Sequence, residues 1–251
     1  MTRRILVLLA CAGVFGGCVW AHNVMAPAPA PNAGFDPDAN WMKYTKKIPM
    51  DRVWWDAKSD FSKYKKVYVA PVNTTHVLKM DFWQKLSMGE KELGADLAKN
   101  AKIFQDAVTD AFKKDPKHTF AVVDTPDDET LIVELAITEM TPNKPWLNAI
   151  AVGSFAAGPI LGFTAGTAAT LNEHGSVAFE GRTRDGKTKD INAMAADHEN
   201  GKIRIIDFQS FTWYGQAPGI FRDWAELFVR IADAPPGTVV EPDSFFALKP
   251  W

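Results

Sequence analysis

Residues 130–138 read Thr130-Leu131-Ile132-Val133-Glu134-Leu135-Ala136-Ile137-Thr138. Side chains of an extended chain alternate between two faces, so Leu131, Val133, Leu135 and Ile137 share one face, and the stretch predicts a strand directed at a core. Upstream, Ser87 and Glu90 have the spacing of a capping box, and Leu93, Leu97, Ala101, Phe104, Val108 and Phe112 recur every three or four residues. That spacing predicts a helix over 88–114 with one face to bury. Further strands are predicted at 64–72, where Val67 and Val69 alternate with Lys66 and Tyr68 before Pro71, and at 120–124. Downstream, strands at 175–184, 188–197 and 202–208 are joined by Asp185-Gly186 and Asn200-Gly201, dipeptides that supply the positive φ of two-residue hairpins. A helix over 218–233 opens at Pro218 and carries Ile220, Trp224, Phe228 and Ile231 as a stripe. The order of elements predicts one α+β domain over 41–234: a mixed, mainly antiparallel sheet with two packed helices, plus an Ala/Gly-rich apolar excursion.

That excursion is the uncharged segment 145–172, bounded by Lys144 and Glu173. Gly158, Gly162 and Gly166 recur every four residues and form a glycine-zipper pattern, a possible association face if the segment is helical. Only eight of the 25 residues at 147–171 are Leu, Ile, Val or Phe, and Pro159 divides the run, so a stable single span is not expected. The segment reads as buried in the domain, lying on a membrane, or joining copies of the chain.

The N-terminus carries a different signal. Arg3 and Arg4 precede an apolar run at 5–15, and both cysteines of the chain, Cys11 and Cys18, fall within the first eighteen residues. This is an export signal, too short to span a bilayer stably, and it leaves no cysteine for a disulfide framework. Gly17-Cys18, directly after the apolar run, resembles the lipobox of bacterial lipoproteins. The resemblance implies removal of residues 1–17, acylation of Cys18 and, with Val19 following, residence at the outer membrane. Ordinary cleavage after Val19-Trp20-Ala21 would instead discard Cys18. Residues 18–40, with Ala-Pro repeated at 26–31, read as a tether, and 235–251 as a Pro-containing tail.

Composition narrows the function classes. The chain has 251 residues, 47% hydrophobic, with 28 basic and 30 acidic side chains; loss of Arg3 and Arg4 leaves 26 basic residues against 30 acids. Such a balance excludes a disordered acidic tail and provides no basic footprint for nucleic acid. His22, His76, His118, His174 and His198 are dispersed, with no zinc motif and no phosphate-binding glycine loop, so no catalytic, metal or cofactor residue is assigned. Glu173-His174 and Asp197-His198-Glu199 would approach one another if their strands pair, which polar hairpin ends explain without a metal. Ser62 and Lys65 match S-x-x-K but lack its companion motifs. Trp54-Trp55 and Trp213-Tyr214 are either packing anchors or a stacking surface for a glycan.

Four pieces in order resemble a family of bacterial envelope lipoproteins known as domain of unknown function 3313. They are Phe61-Ser-Lys-Tyr64-Lys-Lys-Val67-Tyr68-Val69-Ala-Pro71, Thr130 to Thr138, the apolar run before Gly175-Ser-Val-Ala-Phe-Glu180, and Trp224-Ala225. The resemblance spans most of 50–232 and implies a location and a fold, but no activity. The expectation is a lipid-anchored periplasmic domain at the outer membrane, with a non-enzymatic binding or assembly role toward an envelope protein or glycan, or toward itself. The alternatives are a periplasmic hydrolase with a dispersed site and a membrane-active oligomer using 145–172.

Overall fold

The computed structural model of the protein describes residues 29, 31–80, 83, 84, 90–141, 175–200, 214–235 and 237–241. Cys18, the association face Gly158, Gly162 and Gly166, Trp213 and the strand expected at 202–208 lie outside the described residues. Six strands form one sheet: β1 Arg52–Trp55, β2 Lys66–Val69, β3 Ala121–Val122, β4 Thr130–Thr141, β5 Ser176–Asp185 and β6 Ile191–Asn200. Their order is β1-β6-β5-β4-β2-β3. β1, β6, β5 and β4 pair antiparallel, whereas β2 runs parallel to both β4 and β3. Parallel neighbours need a crossover, and helix α1, Glu90–Lys113, supplies it between β2 and β3. A second helix, α2, Ala217–Asp233, follows β6 with Pro218 in its first turn. The architecture is the α+β arrangement expected from the sequence.

Both helices cover the same face of the sheet. Leu93, Leu97, Phe104, Val108 and Phe112 of α1 are buried in one cluster with Ile220, Phe221, Trp224 and Leu227 of α2, and with Leu135, Ile137 and Phe179 of the sheet. At its centre Phe104 stacks on Phe221 at 4.6 Å, and Phe179 meets Trp224 edge to face at 4.6 Å. Such aromatic pairs each add about 0.5–1.5 kcal/mol beyond the area they bury. In β4 the register shifts between Ile137 and Glu139, leaving Thr138 as an extra residue. The bulge keeps Met140 in the core and turns Glu139 to the opposite, outer face; an unbroken alternation would have driven that carboxylate among apolar side chains.

Two local expectations are corrected, and one strand is added. The β5–β6 connection is not a two-residue hairpin: β6 begins at Ile191 and the positive φ falls on Lys189, not on Gly186. Asp185 Oδ1 accepts from the amides of Lys187 and Thr188, both at 2.8 Å, and so shapes the longer turn. Gly186 is needed for close approach, because a Cβ there would lie 2.0 Å from the carbonyl oxygen of Asp127 and 2.6 Å from that of Thr130. Second, Arg52–Trp55 is an edge strand, which a four-residue run with one fully buried side chain, Val53, does not announce. Third, residues 33–39, read as the end of a tether, are packed on the outer face: Asp36 and Ala39 are buried, and Ala39 clusters with Met42, Met194 and Ala196. Glu180, two strands in from the edge, provides the acceptors that hold them.

Leu97 has no accessible surface and lies between helix and sheet. Leu97→Ala is expected to cost about 2–5 kcal/mol, measured as a shift of the urea midpoint at constant slope.

Candidate functional site

Two rows of directly paired residues cross the outer face. One runs Ala136, Glu180, Ala196, Arg52; the next runs Glu134, Arg182, Met194, Trp54. Glu180 is 1% exposed, and its carboxylate accepts three amides of the N-terminal segment: Ala33 at 2.7 Å, Phe35 at 3.0 Å and Asp36 at 3.4 Å. Arg182 completes the clamp. Its Nη1 donates to the Phe35 carbonyl at 3.0 Å and lies 3.3 Å from Asp36 Oδ1, its guanidinium stands 4.4 Å from the Phe35 ring, and its Nε donates to Glu134 at 2.5 Å. Arg184 Nε donates to the same Glu134 oxygen at 2.9 Å. His76 Nδ1 lies 3.0 Å from the Ala33 carbonyl, closing the far side of this strap.

The charges of the clamp are unevenly satisfied. Burial pushes the Asp36 carboxyl up to about 7, against the attraction of Arg182, and its Oδ2 has no hydrogen-bond partner. Glu134 goes the other way: burial opposes its ionisation, but the hydrogen bonds and charges of Arg182 and Arg184 outweigh it and hold the carboxyl low.

A second polar cluster gathers around the C-terminal half of β6. Asp197, on the helix face opposite Phe179, accepts from Trp224 Nε1 at 2.7 Å and from the Asp51 amide at 3.1 Å. Burial, with the charges of Glu199 and Asp51 beside it, pushes its carboxyl up to about 7. Asp51 is raised as well, by burial. On the outer face His198 Nε2 is 3.3 Å from Glu139 Oε1, across the small side chain of Ala178 that pairs between them. Ser176 Oγ donates to the same Glu139 oxygen at 2.5 Å and lies 2.6 Å from Thr141 Oγ1.

Serine, histidine and carboxylate are thus together, in the wrong order for nucleophilic catalysis. A triad needs the hydroxyl on the imidazole and the imidazole on the acid. Here the carboxylate is central, Ser176 donates to Glu139, and Glu139 is held ionised by His198 and Ser176 despite burial. The sequence-predicted meeting of Asp197-His198-Glu199 with Glu173-His174 falls partly outside the described residues; His198 lies beside Glu139. The S-x-x-K match is a turn: Ser62 Oγ donates to Asp60 at 2.6 Å and Lys65 Nζ to the Ser62 carbonyl at 3.1 Å. Neither the strap clamp nor Glu139 was singled out from sequence. Glu180, Arg182 and Arg184 alternate along β5 as solvent-facing charges would, so no local signal marks their burial.

The sequence pattern of the family described as "Protein of unknown function (DUF3313)" matches residues 43–228. The chain belongs to this family. The matched stretch of the DUF3313 fold takes in all six strands, α1 and most of α2, while the strap residues 33–36 precede it. No curated relative matches the chain. Among solved structures it is similar to a PelC dodecamer from Paraburkholderia phytofirmans in two crystal forms, each with 9% identity over 70% of this chain and a TM-score of 0.34, covering 94% and 96% of that chain. It is also similar to the hypothetical protein CT253 from Chlamydia trachomatis, with 10% identity, 67% of this chain, 96% of that chain and a TM-score of 0.28.

Two outcomes follow from the clusters. Glu180→Ala leaves three strap amides without their acceptor, costing about 1–3 kcal/mol, and is expected to speed proteolytic cleavage before residue 37 while far-UV dichroism is retained; unchanged cleavage would remove the clamp from the account. The second concerns pH. Asp36 and Asp197 hold protons up to about 7 in the fold against 3.8 unfolded, so the stability they contribute is full below about pH 4 and is lost as pH rises to about 7. Asp185, held down by Lys63, and Glu134 contribute stability that is present above the ordinary carboxyl range and lost as pH falls. The melting temperature is therefore expected to peak near about pH 5 and decline toward about pH 7, and Asp197→Asn, though less stable overall, is expected to show a shallower decline.

Proposed function

We propose that this member of the DUF3313 family is a lipoprotein of the bacterial cell envelope, acylated at Cys18, facing the periplasm from the outer membrane and acting by binding or assembly rather than by catalysis. The observation that carries the reading is the strap. A chain that emerges from a lipid anchor must transmit the position of that anchor to its domain. Residues 33–36 are fixed to the central strand by one buried carboxylate and one guanidinium, so the anchor would pull on β5 and not on a loose end. The Arg3-Arg4 start, the apolar run at 5–15 and Gly16-Gly17-Cys18 supply the export and acylation signals.

A binding role accords with how the titratable groups are used. Glu180, Asp197, Glu139 and Asp185 each accept hydrogen bonds from neighbouring residues, and the serine nearest an imidazole donates to a carboxylate. The hydrolase alternative therefore finds no nucleophile and base in contact at this cluster. The partner we envisage is an envelope protein or glycan, with self-association through Gly158, Gly162 and Gly166 as a further route.

Among the described residues no helix is long and apolar enough to cross a membrane. Acyl chains add about 0.8 kcal/mol per buried CH₂ and hold a domain to the bilayer without a polypeptide span. Cys18→Ser in the full chain, given a cleavable signal, is expected to appear in the soluble periplasmic fraction and to lose incorporation of labelled palmitate. Retention in carbonate-washed membranes would replace this reading with one in which the segment 145–172 is integral to the bilayer.

A further inference from the structure

Next to the strap, along the free edge of the sheet, the chain reads Trp41-Met42-Lys43-Tyr44-Thr45-Lys46-Lys47. Lys43 bridges Val53 of β1 in antiparallel register, its amide donating to the Val53 carbonyl at 2.9 Å and its carbonyl accepting from the Val53 amide at 2.9 Å. That register sets Met42 beside Trp54 and Tyr44 beside Arg52, on the outer face. Met42 is buried there with Ala39, Met194 and Ala196, but the aromatic rings are not: Trp41 is 52% exposed, tilted against Trp54 at 5.3 Å, and Tyr44 is 71% exposed. Lys46 and Lys47 are exposed beyond Tyr44, and Lys43, exposed as well, alternates to the other face of the edge with Val53. No acid occurs from 39 to 50, and among the described residues none of the three lysines forms an ion pair, although the whole chain has a net charge of −2.

From this arrangement we infer that the ledge of Trp41 and Tyr44, with Lys46 and Lys47, is a docking surface for a bilayer carrying anionic phospholipid. Trp and Tyr favour the interfacial zone, where an apolar ring meets lipid and a polar edge meets water, and lysines beside them are attracted to a negative surface. Charge complementarity selects that occupant for a positive, aromatic ledge on an otherwise acidic protein. Chain geometry gives the second reason. Glu180 and Arg182 fix the strap on the same face as Trp54, and Trp54 shares a cross-strand row with Arg182 two strands away, about 10 Å at the usual strand spacing. From Cys18 to Ala33 there are only 15 residues, which reach at most about 50 Å. A bilayer holding the anchor is thus presented to the outer face at high effective concentration, and a weak surface suffices. This inference rests on the lipoprotein reading and specifies the orientation that the anchored domain takes.

The test uses the mature protein purified from membranes, whose acylation is read first by mass spectrometry, so that a failure of the anchor is scored separately. Cys11 leaves with the signal and an acylated Cys18 is blocked, so Tyr44→Cys provides one reactive thiol for a dansyl label. Lys102→Cys, exposed on α1 on the other side of the sheet, is the control. In phosphatidylcholine vesicles containing phosphatidylglycerol, doxyl-labelled lipid is expected to quench the label at 44 and not at 102. Quenching is expected to fall in pure phosphatidylcholine, in high salt, and on combining Lys46→Glu and Lys47→Glu, by roughly fivefold in docking constant per lysine. Circular dichroism of that variant confirms its fold. Equal quenching at 44 and 102, or quenching at 44 that ignores both lipid charge and the lysine changes, overturns the inference. Protection of the label by peptidoglycan fragments in place of lipid overturns it in favour of a glycan surface.

Discussion

Strand β5 lies between β4 and β6 and is covered on both faces, so the consecutive residues Phe179 and Glu180 must each find a buried partner on opposite sides. Phe179 finds Phe104 of α1 and Trp224 of α2, which lock both helices onto one face. Glu180 finds three amides of the strap. A buried carboxylate without such donors would be strongly unfavourable, so the strap and β5 require each other. The aromatic contact sets where the helices rest, and the carboxylate sets where the chain enters the domain.

Elsewhere the sheet resolves the same conflict by small irregularities. The bulge at Thr138 separates Ile137 and Met140, which enter the core, from Glu139, which turns outward to His198 and Ser176. Gly186 lets the β5–β6 turn press against the carbonyls before β4. Tyr64, just before β2, reaches across to Asp185 at 2.9 Å and receives the Asn192 amide at 2.8 Å, tying the turn to the start of β2. The bulge and the Tyr64 contacts each satisfy polar groups that the pairing of strands would otherwise strand away from water.

These arrangements give the domain two unlike faces. One is closed by helices and dominated by aromatic and aliphatic packing; the other carries paired charges, the strap and an exposed ledge of Trp41 and Tyr44. The charged rows cross the middle of the sheet, and β1 forms its edge on the side of the ledge.

Sequence by itself determined α1, α2 and β4, because their apolar residues repeat at periods that the backbone imposes over four or more positions. It also carried the order of elements, and with it the α+β class. Tertiary structure alone decided that Arg52–Trp55 pairs with β6, that Gly186 serves contact and not turn angle, and that Glu180 is buried. The physical reason is range. Periodicity and capping act between near neighbours, whereas the amides that Glu180 receives come from 144 to 147 positions away, and a charge alternating along a strand looks solvent-facing until a distant segment covers it.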